Sequence, residues 1–154
     1  MEHFVNNRDV IKNPKINTGT SANPTMTGFC TASSLALNTD FTKQEFFTFC
    51  DAIQRSITTG VSMVIDGTVK IDMNNSAIRK VLGDVHTLIS TGAIAQFNNQ
   101  LFEFDLLTGV SGGVLEYTTY RVPVSFTLES LGGDAEGVGE FAISLAINGT
   151  SISA

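Results

Sequence analysis

The segment richest in potential ligands is residues 132–140, where two consecutive glycines precede three acidic side chains. Asp134, Glu136 and Glu140 could supply the carboxylate oxygens that hard cations such as Ca²⁺ prefer, but their spacing is not that of an EF-hand loop. A phosphate-binding loop would open a helix and often carry a lysine, whereas this segment separates two strand-like stretches and contains no base. We therefore predict a hairpin tip that is solvated, contacts a neighbouring subunit or lines a channel. The residues of this candidate inter-subunit loop are Gly132, Gly133, Asp134, Glu136 and Gly137.

The remaining reactive residue types show no catalytic pattern. His3 and His86 are the only histidines, and neither has a second imidazole or a thiol at metal-ligand spacing. The stretch GVSGG at 109–113 is followed by strand-like sequence, whereas a nucleophile elbow is followed by a helix. The sequence thus predicts no catalytic residue, no metal ligand and no cofactor, and favours a protein that is not an enzyme.

The composition argues against tight binding of nucleic acid. The chain of 154 residues carries a net charge of −6, and its nine bases are scattered rather than gathered into a basic stripe. An acidic surface is instead compatible with letting a polyanion pass without binding it. No apolar run is long enough to span a membrane or to form a signal peptide, so we expect a soluble protein made in a cytoplasm.

The chain is expected to contain an N-terminal extended arm, residues 1–28, followed by one domain, residues 29–154. The arm lacks hydrophobic periodicity, and it is predicted either to lie on a neighbouring subunit or to pack on its own domain. A strand is predicted over 29–37. A helix or helical turn is predicted over 43–54, because Thr42 and Glu45 fit a capping box.

The sequence of the rest of the domain predicts strands around one helix. A hairpin is predicted with its loop at 66–68, and the apolar stripe and capping residues predict a helix at 75–91. The strands that follow are predicted near 93–97, 100–107, 114–128 and 139–147, with loops at 107–114 and 131–139. This order predicts a mainly β protein with one flanking α-helix (α+β), in the form of an antiparallel β-sandwich or barrel.

In this order of parts, the chain resembles the major tail protein, or tail tube protein, of long-tailed bacteriophages from about residue 27 to residue 153. The resemblance rests on the early strand FCTASSLALN, the helix SAIRKVLGDVHTLISTG and the final block YRVPVSFTLESLGGDAEGVGEFAISLAINGTSI. That block contains Gly139-Glu140 before alternating apolar residues and Asn148-Gly149 near its end.

The resemblance implies a β-sandwich of the phage tail tube type that assembles as hexameric rings, which stack into a tube. Terminal arms and a long loop would reach neighbouring subunits, and viral DNA would travel through the lumen during ejection. The implied partners are further copies of the chain and the tape-measure, tail terminator and baseplate proteins, with no membrane. The implied location is the virion tail, after assembly in the bacterial host cytoplasm.

A negatively charged bore would repel DNA, because a base fixed there would bind phosphate. We hypothesise that some acids on the predicted strands face this bore, namely Glu103, Asp105, Glu116, Glu129 and Glu140. Two other functions remain open at this point. The chain could be another ring or docking component of a virion, such as a tail terminator, baseplate or decoration protein, or it could be a stand-alone β-sandwich binding module.

Overall fold

The computed structural model describes residues 4–20, 22–49, 51–98 and 100–151. A short 3₁₀ turn precedes seven strands and two α-helices. The elements are the 3₁₀ turn Asn7–Asp9, β1 Ile11–Asn17, β2 Met26–Gly28, β3 Ala32–Thr48, β4 Asp51–Lys70, α1 Ser76–Thr91, α2 Ala95–Asn98, β5 Gln100–Ser111, β6 Val114–Leu131 and β7 Glu140–Ile147.

The seven strands form one sheet in the order β2-β1-β5-β6-β7-β4-β3, and every neighbouring pair is antiparallel. Although β1 and β3 lie toward opposite ends of this order, Ile11 and Leu35 line the same cleft. The sheet is therefore bent over its own apolar face. The predicted fold class, mainly β with a flanking helix, is confirmed, and the sheet is not a closed barrel.

The core lies on the concave side of this sheet, because the strands alternate between apolar and polar residues. In β7, Phe141, Ile143 and Leu145 are buried while the residues between them are partly exposed. Phe29, just before β3, packs edge-on against Phe141 at a centroid distance of 6.3 Å. Helix α1 adds Ala77, Ile78 and Val81 to the same cluster.

Helix α1 begins and ends where its sequence predicts. The side chain of Asn75 accepts a hydrogen bond from the backbone N–H of Ala77, so Asn75 is the N-cap. Gly92 adopts φ = 73°, the left-handed conformation that glycine tolerates, and its N–H donates to the carbonyl of Leu88. The predicted helix at 75–91 is confirmed.

The predicted helix at 43–54 is wrong, because residues 43–48 lie on β3 and residues 51–54 lie on β4, at the far end of a long hairpin. Thr48 pairs with Asp51, so the chain reverses between them. The residues that fit a capping box, Thr42 and Glu45, both lie on strand β3 and not on a helical turn.

The predicted turn at 66–68 is also wrong, because β4 continues through it with a partner strand on each side. Asp66 pairs with Ala36 of β3 and with Ser144 of β7. Gly67 is required by close packing here, since a Cβ atom at this position would lie 2.9 Å from the carbonyl oxygen of Ser34. Glycine is therefore needed here because β3 passes close by, not because the chain reverses.

Two smaller predictions also differ from the structure. The segment 93–97 is not a strand, because residues 93–94 form a loop and residues 95–97 belong to α2. The loop predicted at 107–114 is much shorter, because β5 and β6 stay paired up to Ser111 and Val114 and leave only two glycines at the turn.

Residues 11–17 and 26–28, which belong to the predicted arm, form strands in the sheet of their own chain. β1 pairs with β5, β2 pairs with β1, and Ile16 is only 1% exposed. This part of the segment thus packs on its own domain, which is one of the two alternatives open from sequence. Its lack of periodicity reflects a bulge between Lys12 and Lys15 and a left-handed Asn13 with φ = 52°.

Candidate functional site

The most distinctive surface of the protein is a two-stranded ribbon that extends beyond the sheet. β3 and β4 pair from Ala32–Val69 to Thr48–Asp51, but β7 accompanies β4 only as far as Val64. Residues 39–63, here called the projecting hairpin, therefore have only each other as strand neighbours among the described residues. At about 3.3 Å per residue, the thirteen positions from 51 to 63 extend about 43 Å from the body.

The projecting hairpin exposes large apolar side chains that a solvated ribbon would not need. The exposed fraction is 54% for Phe41, 65% for Phe47 and 73% for Ile53, and Phe49 at the tip is fully exposed. Phe46, Ile57 and Val61 are also exposed. Two-stranded hairpins are marginally stable alone in water, and apolar clusters of this kind mark interaction surfaces. The ribbon has the properties of an element that becomes buried in an assembly.

The outer edge of β3 is a second unpaired surface. β3 is the last strand in the sheet order, so one side of its backbone, Ala32 to Thr48, has no strand partner among the described elements. Long edges of this kind pair readily with another chain unless they are covered or bear charges. The chain thus presents a free β-edge next to an apolar ribbon.

Two of the five acids predicted to face a bore lie together on the convex face of the sheet, but each has polar partners there. Glu103 is nearly buried and binds Arg121 at 3.0 Å and Lys15 at 3.7 Å. Asp105 accepts hydrogen bonds from Thr119 at 2.6 Å and from Asn13 at 2.7 Å. The hydroxyl of Thr119, followed by the amide of Asn13 and the charge of Lys15, holds the pKa of Asp105 below its ordinary value.

The other three acids do not belong to this pair of neighbouring acids. Glu140 lies on the convex face and forms an ion pair with Lys70. Glu116 is exposed and belongs to the same alternating set of β6 positions as Val122 and Val124, so it lies on the core side of the sheet, opposite to Glu140. Glu129 is exposed at a bulge between Leu128 and Ser130. Neither Glu116 nor Glu129 has a base as an ion-pair partner within the described part of the chain. The structure therefore does not gather the five acids onto one surface.

The candidate inter-subunit loop lies in an exposed connection between β6 and β7. Gly132 adopts φ = 93° and donates its N–H to the carbonyl of Glu140, and Gly137 donates to the carbonyl of Asp134 at 3.0 Å. Exposed Val138 lies beside these acids. In the described residues, no group of three or more His, Cys, Asp or Glu side chains is arranged to hold a metal ion.

Of the surfaces described here, the sequence predictions missed the projecting hairpin. Its signal in the sequence is a high content of Phe, Thr and Ile over residues 41–61, which are residue types that favour strands. No helix in the described ranges is long and apolar enough to cross a membrane.

No family model and no curated protein matches this chain. Solved structures do match, and two of them are described here. The first is a chain in the tail of an empty gene transfer agent particle with C6 symmetry, with a TM-score of 0.60 and 11% identity, covering 98% of this chain and 100% of that chain. The second is a chain in the virion of a native gene transfer agent particle, with a TM-score of 0.54, 11% identity, and coverage of 92% and 96%. At this identity the likeness shows a common fold, extending over nearly the whole of each chain.

Proposed function

We propose that this protein is a structural subunit of a phage-like tail, whose copies form rings that stack into a tube for the passage of DNA. The observation that carries the proposal is the fold shared end to end with a chain from a tail of C6 symmetry. Because both chains are covered almost completely, the two proteins correspond as whole subunits and not through one common motif.

The exposed surfaces support a role in assembly. The projecting hairpin leaves Phe41, Phe47 and Ile53 in solvent in a single copy, and the edge of β3 lacks a strand partner. In a ring, each copy would use one patch to bind a different patch of the next copy, which is the heterologous contact that closes rings and builds filaments. We propose that six copies close each ring, by analogy with the C6 tail, and that tape-measure, terminator and baseplate proteins complete the tail.

The charge distribution supports a lumen that does not retain DNA. Three bases on the convex face, Lys15, Lys70 and Arg121, are each bound to an acid of the same face, and Lys12 forms an ion pair with Asp9 at 3.4 Å. They therefore offer little free positive charge to phosphates. We propose Glu116 and Glu129 as the acids of the original five that give the bore negative charge. Both are exposed and have no ion-pair partner among the described residues, whereas Glu103 and Glu140 are neutralised and Asp105 accepts two hydrogen bonds.

Assembly of the purified full-length protein tests the proposal directly. We expect light scattering after size exclusion to show hexamers or larger species as concentration rises, and negative-stain images to show sixfold rings and tubes. Single rings that never stack would favour a terminator or baseplate component. A monomer at every concentration, with a folded circular dichroism spectrum, would refute assembly and favour a stand-alone binding module.

The electrostatic part of the proposal needs a separate test in particles. Replacing Glu116 and Glu129 by lysine should leave tubes intact but slow DNA ejection, and the delay should shrink as salt screens the added charges. Ejection kinetics equal to those of the wild type at low salt would remove these two residues from the bore.

A further inference from the structure

We propose that Asn148 is a site of spontaneous deamidation, at which the backbone nitrogen of Gly149 displaces the side-chain amide and leaves an aspartate or an isoaspartate. Asn148-Gly149 is the one Asn-Gly dipeptide of the chain. Asparagine is among the thermally labile residue types, and a following glycine has no side chain that shields the attacking nitrogen. The reaction needs only one copy of the chain, so its test does not depend on the proposed function.

Asn148 lies just beyond the last strand pair of the sheet. β7 ends at Ile147, which pairs with Val124, and both Asn148 and Gly149 are exposed. The backbone N–H of Asn148 still donates to the carbonyl of Pro123 at 2.9 Å, whereas Gly149 belongs to a bend outside the strand. The peptide bond that must rearrange therefore lies where local motion costs least.

The reaction at this site balances with water as the sole co-reactant. The nitrogen of Gly149 forms a bond to Cγ of Asn148 while the bond from Cγ to Nδ2 breaks. Nδ2 departs as ammonia, with the proton that the Gly149 nitrogen loses. The resulting succinimide ring then takes up a water molecule. Opening at Cγ gives aspartate in an unchanged backbone, and opening at the main-chain carbonyl carbon gives isoaspartate, whose backbone is longer by a carbon atom.

Close packing against β6 favours glycine at position 149. A Cβ atom there would lie 3.0 Å from Cγ of Pro123, which is closer than most contacts of this kind. The missing side chain that allows this approach also leaves the nitrogen of Gly149 accessible to Cγ of Asn148. The packing that places glycine after Asn148 thus also makes Asn148 labile.

Ser125 restrains the side chain that reacts. Nδ2 of Asn148 donates a hydrogen bond to Oγ of Ser125, on the neighbouring strand β6, at 2.6 Å. This bond holds the carboxamide toward β6, whereas the reaction requires Cγ to approach the next nitrogen along its own chain. The hydrogen bond must break before the attack. Ser125 is therefore a positioning residue that slows the reaction.

A second dipeptide of related chemistry is protected by the sheet. Asp66-Gly67 could form the same ring with loss of water, but Asp66 pairs with Ala36 of β3 and with Ser144 of β7. Its carboxylate also accepts a hydrogen bond from the side chain of Asn38. Opening a strand that has partners on both sides costs much more free energy than moving an exposed bend. The fold, and not the dipeptide alone, selects position 148.

Deamidation would add a negative charge to the convex face of the sheet. Ser125 alternates with the buried residues Val124 and Phe126 of β6, so it lies on the convex face, and Asn148 bonds to it there. The modified chain would be one charge unit more negative than −6. The hydroxyl of Ser125 can donate to the new carboxylate, so the end of β7 should stay in place.

Timed peptide mapping of the folded full-length protein tests the proposal. The protein is incubated in mildly alkaline buffer at physiological temperature and then digested with trypsin. The peptide that follows Arg121 contains Asn148 and no other Asn or Gln, so a gain of about 1 Da in this peptide identifies the site. We expect that gain to increase with time, with the Asn148→Asp protein as the chromatographic standard. Enzymatic methylation, which labels isoaspartate, should stay at background in the peptide that contains Asp66.

Variants test the roles of the two neighbouring residues. Ser125→Ala should speed deamidation about fivefold, because one hydrogen bond no longer restrains Asn148. Thr127→Ala, on the same face of β6, is the matched control and should react at the wild-type rate. Gly149→Ala should slow the reaction about tenfold or more, because a methyl group then hinders the approach of Cγ. Circular dichroism melting of each variant checks that Pro123 and the rest of the fold are undisturbed.

Each outcome decides the proposal. If the amide of Asn148 persists in the folded protein while it is lost from the isolated tryptic peptide, the fold protects the site and the proposal is overturned. Equal rates in Ser125→Ala and the wild type would remove Ser125 as the restraint. Isoaspartate that accumulates at Asp66 as fast as at Asn148 would overturn the selection by the sheet.

Discussion

Removing the projecting hairpin should separate folding from assembly. The change replaces residues 40–62 with an Asn-Gly turn between Thr39 and Met63, which lie opposite each other in the sheet. Asn-Gly suits a two-residue hairpin connection. The shortened β3 and β4 keep the pairs that contact the body, including Leu37–Ile65.

The expected effects on stability and on assembly differ by several kcal/mol. Among the described residues, no buried apolar core residue lies between 40 and 62. The free energy of unfolding should therefore change by no more than about 1 kcal/mol, or about 2–4 °C in Tm. Assembly should lose the free energy of burying six partly exposed apolar side chains, which is about 1 kcal/mol each, or about 6 kcal/mol together. That loss corresponds to roughly a 10⁴-fold weaker association.

Thermal unfolding followed by circular dichroism and light scattering measures both quantities on the same samples. The truncated protein should melt cooperatively near the wild-type temperature and stay monomeric at concentrations where the wild type forms rings. A Tm lowered by more than about 10 °C would show that the hairpin supports the fold. Undiminished tube formation would show that assembly does not depend on it.

Three further predictions concern the body of the protein. Phe141→Ala should lower the free energy of unfolding by about 3–5 kcal/mol, since Phe141 is fully buried against Phe29; a loss below 1 kcal/mol in urea titrations would contradict this packing. Asn75→Ala should cost about 1–2 kcal/mol in the same titrations, because Asn75 caps α1 and donates to the carbonyl of Gly28 at 2.8 Å, whereas Asn75→Ser should retain part of the cap. The lowered pKa of Asp105 means that its carboxylate stabilises the fold above its unfolded pKa, near 4, and that this contribution is lost as pH falls through the folded pKa. Stability measured from pH 7 to pH 3 should thus fall less steeply in Asp105→Asn, and identical slopes would argue against the hydrogen bonds from Thr119 and Asn13.

Sequence patterns correctly predicted the elements in which one face contacts the core along the whole length of the element. Helix α1 has a single apolar stripe, a capping asparagine and a terminal glycine, and its limits were predicted correctly. β7 alternates strictly because one face meets the core and the other does not, so Phe141 to Leu145 could be placed from the sequence. In these segments local propensity and tertiary packing favour the same structure.

The elements that sequence could not predict depend on contacts between distant segments. Glycine, a residue type typical of turns, occurs at position 67 because β3 passes too close for a side chain. This constraint comes from Ser34, which is 33 positions away in the chain. The sequence does not show that bases neutralise Glu103 and Glu140. Lys15, Arg121 and Lys70 lie beside these acids only because of the register in which separate strands pair. Register between separate strands cannot be read from the composition of one of them.

The failed helix prediction at 43–54 has a physical cause that also bears on function. A strand with one buried face shows alternation of period two, but β4 is apolar on one face before Thr59 and on the other face after it. Phe46 and Phe47 are consecutive and apolar for the same reason, since each faces a different side of the ribbon. Apolar residues on both faces, interrupted by a bulge, reproduce by chance the spacing of three and four that characterises a helix. The pattern that led to the wrong helix prediction is therefore that of a ribbon with apolar side chains on both faces, and a single copy, which leaves them exposed, supplies no local reason for it.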